Sequence, residues 1–150
     1  ARLQVQTVER GVTRAGRDRS RFVISGCAWL SLSADRQAAA DRMRDMIVTF
    51  GPFLEEDALA TAGLRRCDFD AIRAHVERRD IPGARALVTD RMLELGITGT
   101  PADVIARIEA LNAAGIDEIN FGGPLGPDPE TAISLLGREV IPHFRARPDS

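Results

Sequence analysis

The stretch Phe22-Val23-Ile24-Ser25-Gly26-Cys27-Ala28-Trp29-Leu30-Ser31-Leu32 decides how this chain folds. Its even positions, Phe22, Ile24, Gly26, Ala28, Leu30 and Leu32, are apolar or small throughout. Its odd positions, Val23, Ser25, Cys27, Trp29 and Ser31, are mixed and turn polar towards Ser33. Side chains alternate along a strand, so this pattern describes a strand with two different faces. The even face suits a layer of helices. The odd face suits a barrel interior that opens onto a polar site.

A second, shorter strand is expected at 116–121. Its lead-in, Ala114-Gly115-Ile116-Asp117, echoes the Ala15-Gly16-Arg17-Asp18 that precedes the first. On it Glu118, Asn120 and Gly122 share one face, and Ile119 and Phe121 the other. The following Gly122-Gly123-Pro124-Leu125-Gly126-Pro127-Asp128 is expected to be an irregular loop.

Helical periodicity fills the rest of the chain. Val5, Val8, Val12 and Ala15 make one stripe over 2–15, which Gly16 is placed to end. A pattern already running at the first residues suggests a chain cut from something longer. Ser33 or Asp35 can cap the next helix, which passes through Ala39, Met43, Met46 and Ile47 to about Phe50 and breaks at Gly51-Pro52. Three shorter helices are expected near 53–62, 68–78 and 82–95, with Gly63 and Gly96 closing the first and last. Thr100-Pro101-Ala102-Asp103 is a helix start, with Thr at the cap, Pro in the first turn and an acid behind it. Val104, Ile105, Ile108 and Leu111 form its apolar stripe, and Gly115 ends it. Asp128-Pro129 opens a last helix carrying Ile133, Leu136, Val140, Ile141 and Phe144.

Strands connected through helices run parallel, with right-handed crossovers. Parallel strands are normally covered on both faces and belong to larger sheets. Two alone leave unpaired edges and too little core. The fold class is therefore α/β, read as the closing part of a parallel β/α barrel. The absent neighbours would come from the rest of a longer chain or from another copy.

Composition narrows the function. The chain has 150 residues, 44% apolar and 28% charged, with a formal charge of −2. That is a globular composition, without the clustered basic face that nucleic acid or an anionic membrane surface requires. The local run Arg10, Arg14, Arg17, Arg19 and Arg21 reads as a solvated helix end and loop. Cys27, within an apolar run, is expected in the core, and Cys67 near a helix start. With only two cysteines, which share no motif, and two histidines far apart in sequence, no metal set is expected. This cysteine usage fits a reducing cytoplasm.

Ligands of parallel α/β folds gather at the C-terminal ends of the strands. Those ends are 29–33 and 120–128. Asn120, with Glu118, is a polar side chain on the inward face, which needs either partners or a ligand. Gly122 and Gly123 allow backbone to approach a ligand closely. An anion near them or near a helix N-terminus is plausible on barrel geometry. Trp29 reads as barrel core or as a wall beside a ring-shaped cofactor. Arg65, Arg66, His75 and Arg91 would face an acidic substrate if the 35–95 segment folds over the site. His143 reads as structural. No Ser/His/Asp or Cys/His constellation is present, and the catalytic residues stay unassigned.

The stretches Gly96-Ile97-Thr98-Gly99-Thr100-Pro101-Ala102-Asp103-Val104, Ala114-Gly115-Ile116-Asp117-Glu118-Ile119 and Gly122-Gly123-Pro124-Leu125-Gly126-Pro127-Asp128 together resemble the C-terminal end of the luciferase-like flavin or deazaflavin oxidoreductases. Within that family the Gly-Pro-Leu-Gly-Pro-Asp element is most similar to the methylenetetrahydromethanopterin reductases. The resemblance implies a (β/α)8 TIM barrel of about twice this length. It puts 22–32 at the seventh strand, 116–121 at the eighth, and about 35–95 in an insertion covering the active-site mouth. It implies hydride transfer from reduced coenzyme F420 to a methylene-tetrahydropterin substrate, with FMN and a monooxygenase reaction as the alternative. Gly122, Gly123 and Pro124 would then lie beside the cofactor, with Asn120 and Ser31 as inward neighbours. The segment by itself is expected to be inactive, completed by an N-terminal barrel half. A non-catalytic half-barrel that dimerises through its strand edges is the third reading.

Overall fold

In the computed structural model, which describes residues 2–145, the alternating stretch forms strand β1 (Ser25–Leu32). It begins at Ser25 and not at Phe22, because Asp18 accepts from the Ser20 amide and caps a short turn over Arg19–Arg21. β1 is the centre of a three-stranded parallel sheet in the order β2-β1-β3, with β2 at Ile97–Gly99 and β3 at Glu118–Leu125. Two corrections to the sequence reading follow. β2 is a third strand, too short to show any alternation. β3 runs on through Gly122, Gly123 and Pro124, which were expected in a loop. Trp29 pairs with Gly122 while Ser31 pairs with Leu125, so β3 carries an extra residue there, a bulge. Pro124, with no amide to donate, sits near the strand's end, where a missing ladder bond is tolerated.

The helices are α1 (Arg2–Arg14), α2 (Arg36–Phe50), α3 (Glu56–Thr61), α4 (Asp70–Glu77), α5 (Ile81–Ala86), α6 (Asp90–Leu93), α7 (Pro101–Asn112), α8 (Pro129–Leu135) and α9 (Ile141–Arg145). Asp35, rather than Ser33, caps α2 by accepting from the Gln37 and Ala38 amides. The single helix expected at 82–95 is two, because Thr89 accepts from the Met92 amide and starts α6 afresh. The last helix is also divided, by a π-type turn at Leu136–Val140 between α8 and α9.

Two separate cores result. Leu30 and Leu32, from the even face of β1, pack with Ile97, Val104, Ile108, Ala132 and Leu135 under α7 and α8. The second core lies almost wholly inside the 35–95 segment: Met43, Ile47, Leu59, Phe69, Ile72, Val88 and Met92, with Trp29 touching its margin. The segment is thus a small helical unit with its own apolar centre. α2 ties it to the sheet: the Ser31 hydroxyl donates to the Ala39 carbonyl at 2.7 Å, and Met43 presses on Gly96.

Several single residues depart from expectation. Cys27 is exposed, not core, because the lower part of the odd face carries no covering layer among the described residues. Val5 and Val12 are buried, but Val8, on the same stripe, is exposed. Ile133 and Ile141 also face outward. No helix among the described residues is long and apolar enough to cross a membrane.

The open edges can be located to single amides. The Ile24 carbonyl accepts from Asp117 and Glu118, and the Ser33 amide donates to the Gly99 carbonyl. Backbone groups alternate sides along a strand, so even-numbered groups of β1 face β3 and odd-numbered groups face β2. β2 pairs only with Leu30–Leu32. The Ser25 and Cys27 amides therefore have no ladder partner among the described residues.

Candidate functional site

A cleft of about 590 Å³ lies along that open edge. β1 supplies Gly26, Cys27, Ala28 and Trp29, and β3 supplies Ile119 and Gly122. Leu54, Ala58 and Thr61 close it from the helical unit, and Glu94, Gly96, Arg107 and Leu111 from the approach to β2 and from α7. The cleft lies along the first halves of β1 and β3 and the start of β2, below the C-terminal strand ends where ligands of parallel β/α folds gather.

Gly122 and Gly123 are both exposed, and Pro124 is half-buried. A Cβ added at Gly122 would touch only the Ala28 carbonyl and Trp29 Cδ1, each at 3.8 Å, and one at Gly123 would meet nothing within 4 Å. The strand here offers bare backbone to whatever approaches. Asn120 lies two residues earlier on the same face. Its Nδ2 donates to Ser25 Oγ at 2.6 Å and to Glu118 Oε1 at 3.3 Å, while the Ser25 hydroxyl reaches Glu118 at 3.5 Å. These three groups form a polar layer on the odd face, exposed to the open side of the sheet.

Ser31 is fully buried, with its hydroxyl bonded to Ala39. It holds α2 against β1 and presents no free donor. Its register partner on β2 is Thr98, whose Oγ1 is buried with no hydrogen-bond partner among the described residues. That orphaned hydroxyl was not singled out from the sequence.

Each of the four basic residues expected to face an acidic substrate has a neighbour of its own. Arg65 pairs with Asp68 at 3.9 Å and Arg66 with Glu56 at 3.6 Å. The Arg91 guanidinium lies beside Gly63. His75 Nδ1 and Asp80 Oδ2 are 2.8 Å apart, and the Gly83 amide, together with His75, holds the Asp80 carboxyl below the usual carboxylate range. None of the four lines the cleft. Cleft-lining residues missed from the sequence include Leu54, Ala58, Thr61, Glu94 and Arg107. The only forewarning of that wall was the Phe50-Gly51-Pro52-Phe53 break, where two aromatics flank a helix end. His143 pairs with Glu109 at 3.0 Å, joining α9 to α7, as a structural role requires.

The family model described as luciferase-like monooxygenase matches residues 1–118. The chain is 31% identical over 145 residues to the 5,10-methylenetetrahydromethanopterin reductase of Archaeoglobus fulgidus, covering 93% of this chain and 44% of that protein. With the enzyme of the same name from Methanopyrus kandleri it shares 30% identity, over 95% of this chain and 41% of that one. The solved structure of the coenzyme F420 dependent tetrahydromethanopterin reductase from Methanopyrus kandleri superposes with a TM-score of 0.86 at 30% identity, covering 95% of this chain and 42% of that one. An F420-dependent secondary alcohol dehydrogenase, solved with an F420-acetone adduct, superposes at a TM-score of 0.59 and 21% identity over 89% of this chain and 36% of that one, a likeness of fold. The chain spans less than half the length of each of these relatives.

Proposed function

Because the chain belongs to the luciferase-like monooxygenase family, we propose that it is the closing part of a (β/α)8 barrel whose complete form transfers hydride from reduced coenzyme F420 to a methylene-tetrahydropterin. The observation that carries this reading is the superposition on the F420-dependent reductase at a TM-score of 0.86, which extends over 95% of the chain, helical unit included. The unpaired Ser25 and Cys27 amides and the uncovered odd face supply the physical support. A parallel sheet with such an edge takes further strands.

The residues present fit a flat cofactor. Gly122 and Gly123 present exposed backbone with open space beside it, and Pro124 follows them. Asn120 spends both Nδ2 hydrogens on Ser25 and Glu118, which leaves its Oδ1 as the acceptor on that face. When bound, coenzyme F420 supplies the hydride, and the chemistry of reduction is its own. The chain's residues bind and orient. The glycines would leave room for the ring along the strand, the Asn120–Glu118–Ser25 layer would set the polarity of that face, and the helical unit would help to exclude water. Ser31 supports that cover from below. Arg65, Arg66, His75 and Arg91, on the outer part of the unit, are proposed to attract an acidic carrier.

The test is to join the chain in frame to the missing strands of a methylenetetrahydromethanopterin reductase and follow oxidation of reduced F420. Oxidation that depends on the methylene-pterin supports the proposal. A folded fusion that instead oxidises reduced FMN with oxygen supports the monooxygenase reading. A chain that forms a tight dimer through its strand edges, and will not join, supports the non-catalytic module.

A further inference from the structure

The last helix carries an apolar stripe that the described residues leave uncovered. Ile133 on α8 is 57% exposed and Ile141 on α9 42%, and exposed Gly137 lies between them. A Cβ added at Gly137 would meet nothing within 4 Å. In a regular α-helix eight residues advance about 80° past two full turns, so Ile133 and Ile141 would diverge. The π-type turn at Leu136–Val140 is wider and brings them back into one line. Half-buried Leu136 and Phe144 border that line on the core side. Glu130, Ser134 and Arg138, next round the helix, are exposed and polar, so the stripe is bounded and distinct from the solvent face.

His143 fixes which side this is. Two residues turn a helix by about 200°, so Ile141 lies opposite His143, which meets Glu109 on α7 at 3.0 Å. The stripe faces away from α7. β3, which leads into this helix, pairs with β1 alone among the described residues, so its other edge is open as well. A free strand edge followed in the chain by a free helix stripe makes room for one more β/α unit.

We propose that Ile133, Gly137 and Ile141 form the seat of a single amphipathic helix, that of the β/α unit whose strand pairs with the free edge of β3. A convex stripe one helix wide suits a helix, and the notch at Gly137 admits a large side chain from it, as ridges fit grooves. The relatives supply the length: this chain covers 44% of the Archaeoglobus fulgidus reductase and 42% of the solved reductase, so more than half of such a protein lies outside it. The choice of occupant rests on the barrel proposed above; the stripe itself rests on this geometry.

Ile133→Glu and Ile141→Glu are compared in the chain alone and in the chain fused to the missing strands and helices of a reductase. Ile81→Glu, at a 45% exposed position on α5, is the control. In the chain alone all three side chains meet water, and the thermal midpoints by circular dichroism should stay within about 2 °C of the unaltered chain. In the fused barrel each stripe substitution should lower the midpoint by at least about 5 °C, because it buries a carboxylate without a partner, and the control should not. A fused barrel that oxidises reduced F420 but is indifferent to both substitutions overturns the seat and leaves the function standing. A fusion of the unaltered chain that does not fold overturns the barrel, and the seat with it. A chain that dimerises alone, and is dispersed by Ile133→Glu, has a second copy on the stripe, which overturns the choice of occupant.

Discussion

The carboxylate of Asp117 accepts a hydrogen bond from the backbone amide of Ile24 at 2.7 Å, from 93 residues away in the chain. The same oxygen takes the Arg19 guanidinium at 2.8 Å. Asp117 lies just before β3 and Ile24 just before β1, so one side chain sets the two strands in register at their entrance. The Ala-Gly-x-Asp echo in the sequence marks this point. Asp18 caps the turn that leads into β1, and Asp117 pins that strand from the other copy of the motif.

That link makes stability depend on acid in a defined sense. The Ile24 amide foremost, then Arg19, hold the Asp117 carboxyl below its ordinary value. Partial burial pushes Asp103 the other way, but the Thr100 amide and hydroxyl, helped by Arg36, outweigh it and bring it down as well. A carboxyl lowered by folding contributes stability that is present above its unfolded pKa, about 4, and is lost as pH falls through its folded value. The urea midpoint is expected to be insensitive to these groups from neutral pH to about 5 and to fall below about 4. Asp117→Asn keeps an acceptor for Ile24 but loses the ion pair, so it should cost about 1 kcal/mol or less at neutral pH and shallow the acid limb. Asp117→Ala strands the amide and should cost about 1–3 kcal/mol.

Two glycines of the same strand end are expected to behave oppositely. Gly126 has φ +158, and a Cβ there would come 2.3 Å from the Leu32 carbonyl oxygen, a backbone atom that cannot turn aside. Gly126→Ala should therefore destabilise by at least about 1–3 kcal/mol in thermal or urea unfolding. Gly122→Ala meets only ordinary van der Waals contacts and should leave the unfolding midpoint within about 0.5 kcal/mol. Its effect should appear in ring binding instead.

The start of α7 offers a third measurement. Asp103 Oδ2 accepts from both the amide and the hydroxyl of Thr100 at 2.8 Å, and Asp103 Oδ1 from Arg36 at 2.7 Å. Thr100→Ala should lower stability by about 1 kcal/mol. Asp103→Ala, which frees three donors at once, should lower it further, read from equilibrium unfolding by far-ultraviolet circular dichroism.

What could be read from the sequence was whatever repeats or caps. The two-faced pattern of β1, the Thr100-Pro101 helix start and the positions of Gly16, Gly63 and Gly115 all depend on local chemistry, and each is where expected. Gly16, Gly63 and Gly115 all take positive φ. Three-residue β2 was illegible because its only cause is pairing with Leu30–Leu32, a long-range fact. The Gly122-Gly123-Pro124 run reads as a loop because Gly and Pro are locally strand breakers, whereas pairing with β1 and a bulge keep it extended. Cys27 reads as core because its neighbours are apolar, whereas the lower part of the face it occupies has no covering layer among the described residues. The site suffered most. Asn120, Gly122 and Gly123 could be found by alternation along one strand. The Glu94–Arg107 wall depends on how the helical unit folds back, which periodicity does not encode.

The proposed barrel requires a free edge on β1, and amide hydrogen exchange reads that edge residue by residue. In the chain alone, Gly26 and Ala28, whose backbone groups face β3, should exchange slowly, and Cys27 at close to the rate of an unstructured peptide. In the chain joined to the missing β/α units, Cys27 should slow by at least about a hundredfold. A monomeric chain in which Cys27 is already as protected as Gly26 and Ala28 would contradict the claim that this sheet is built to be completed.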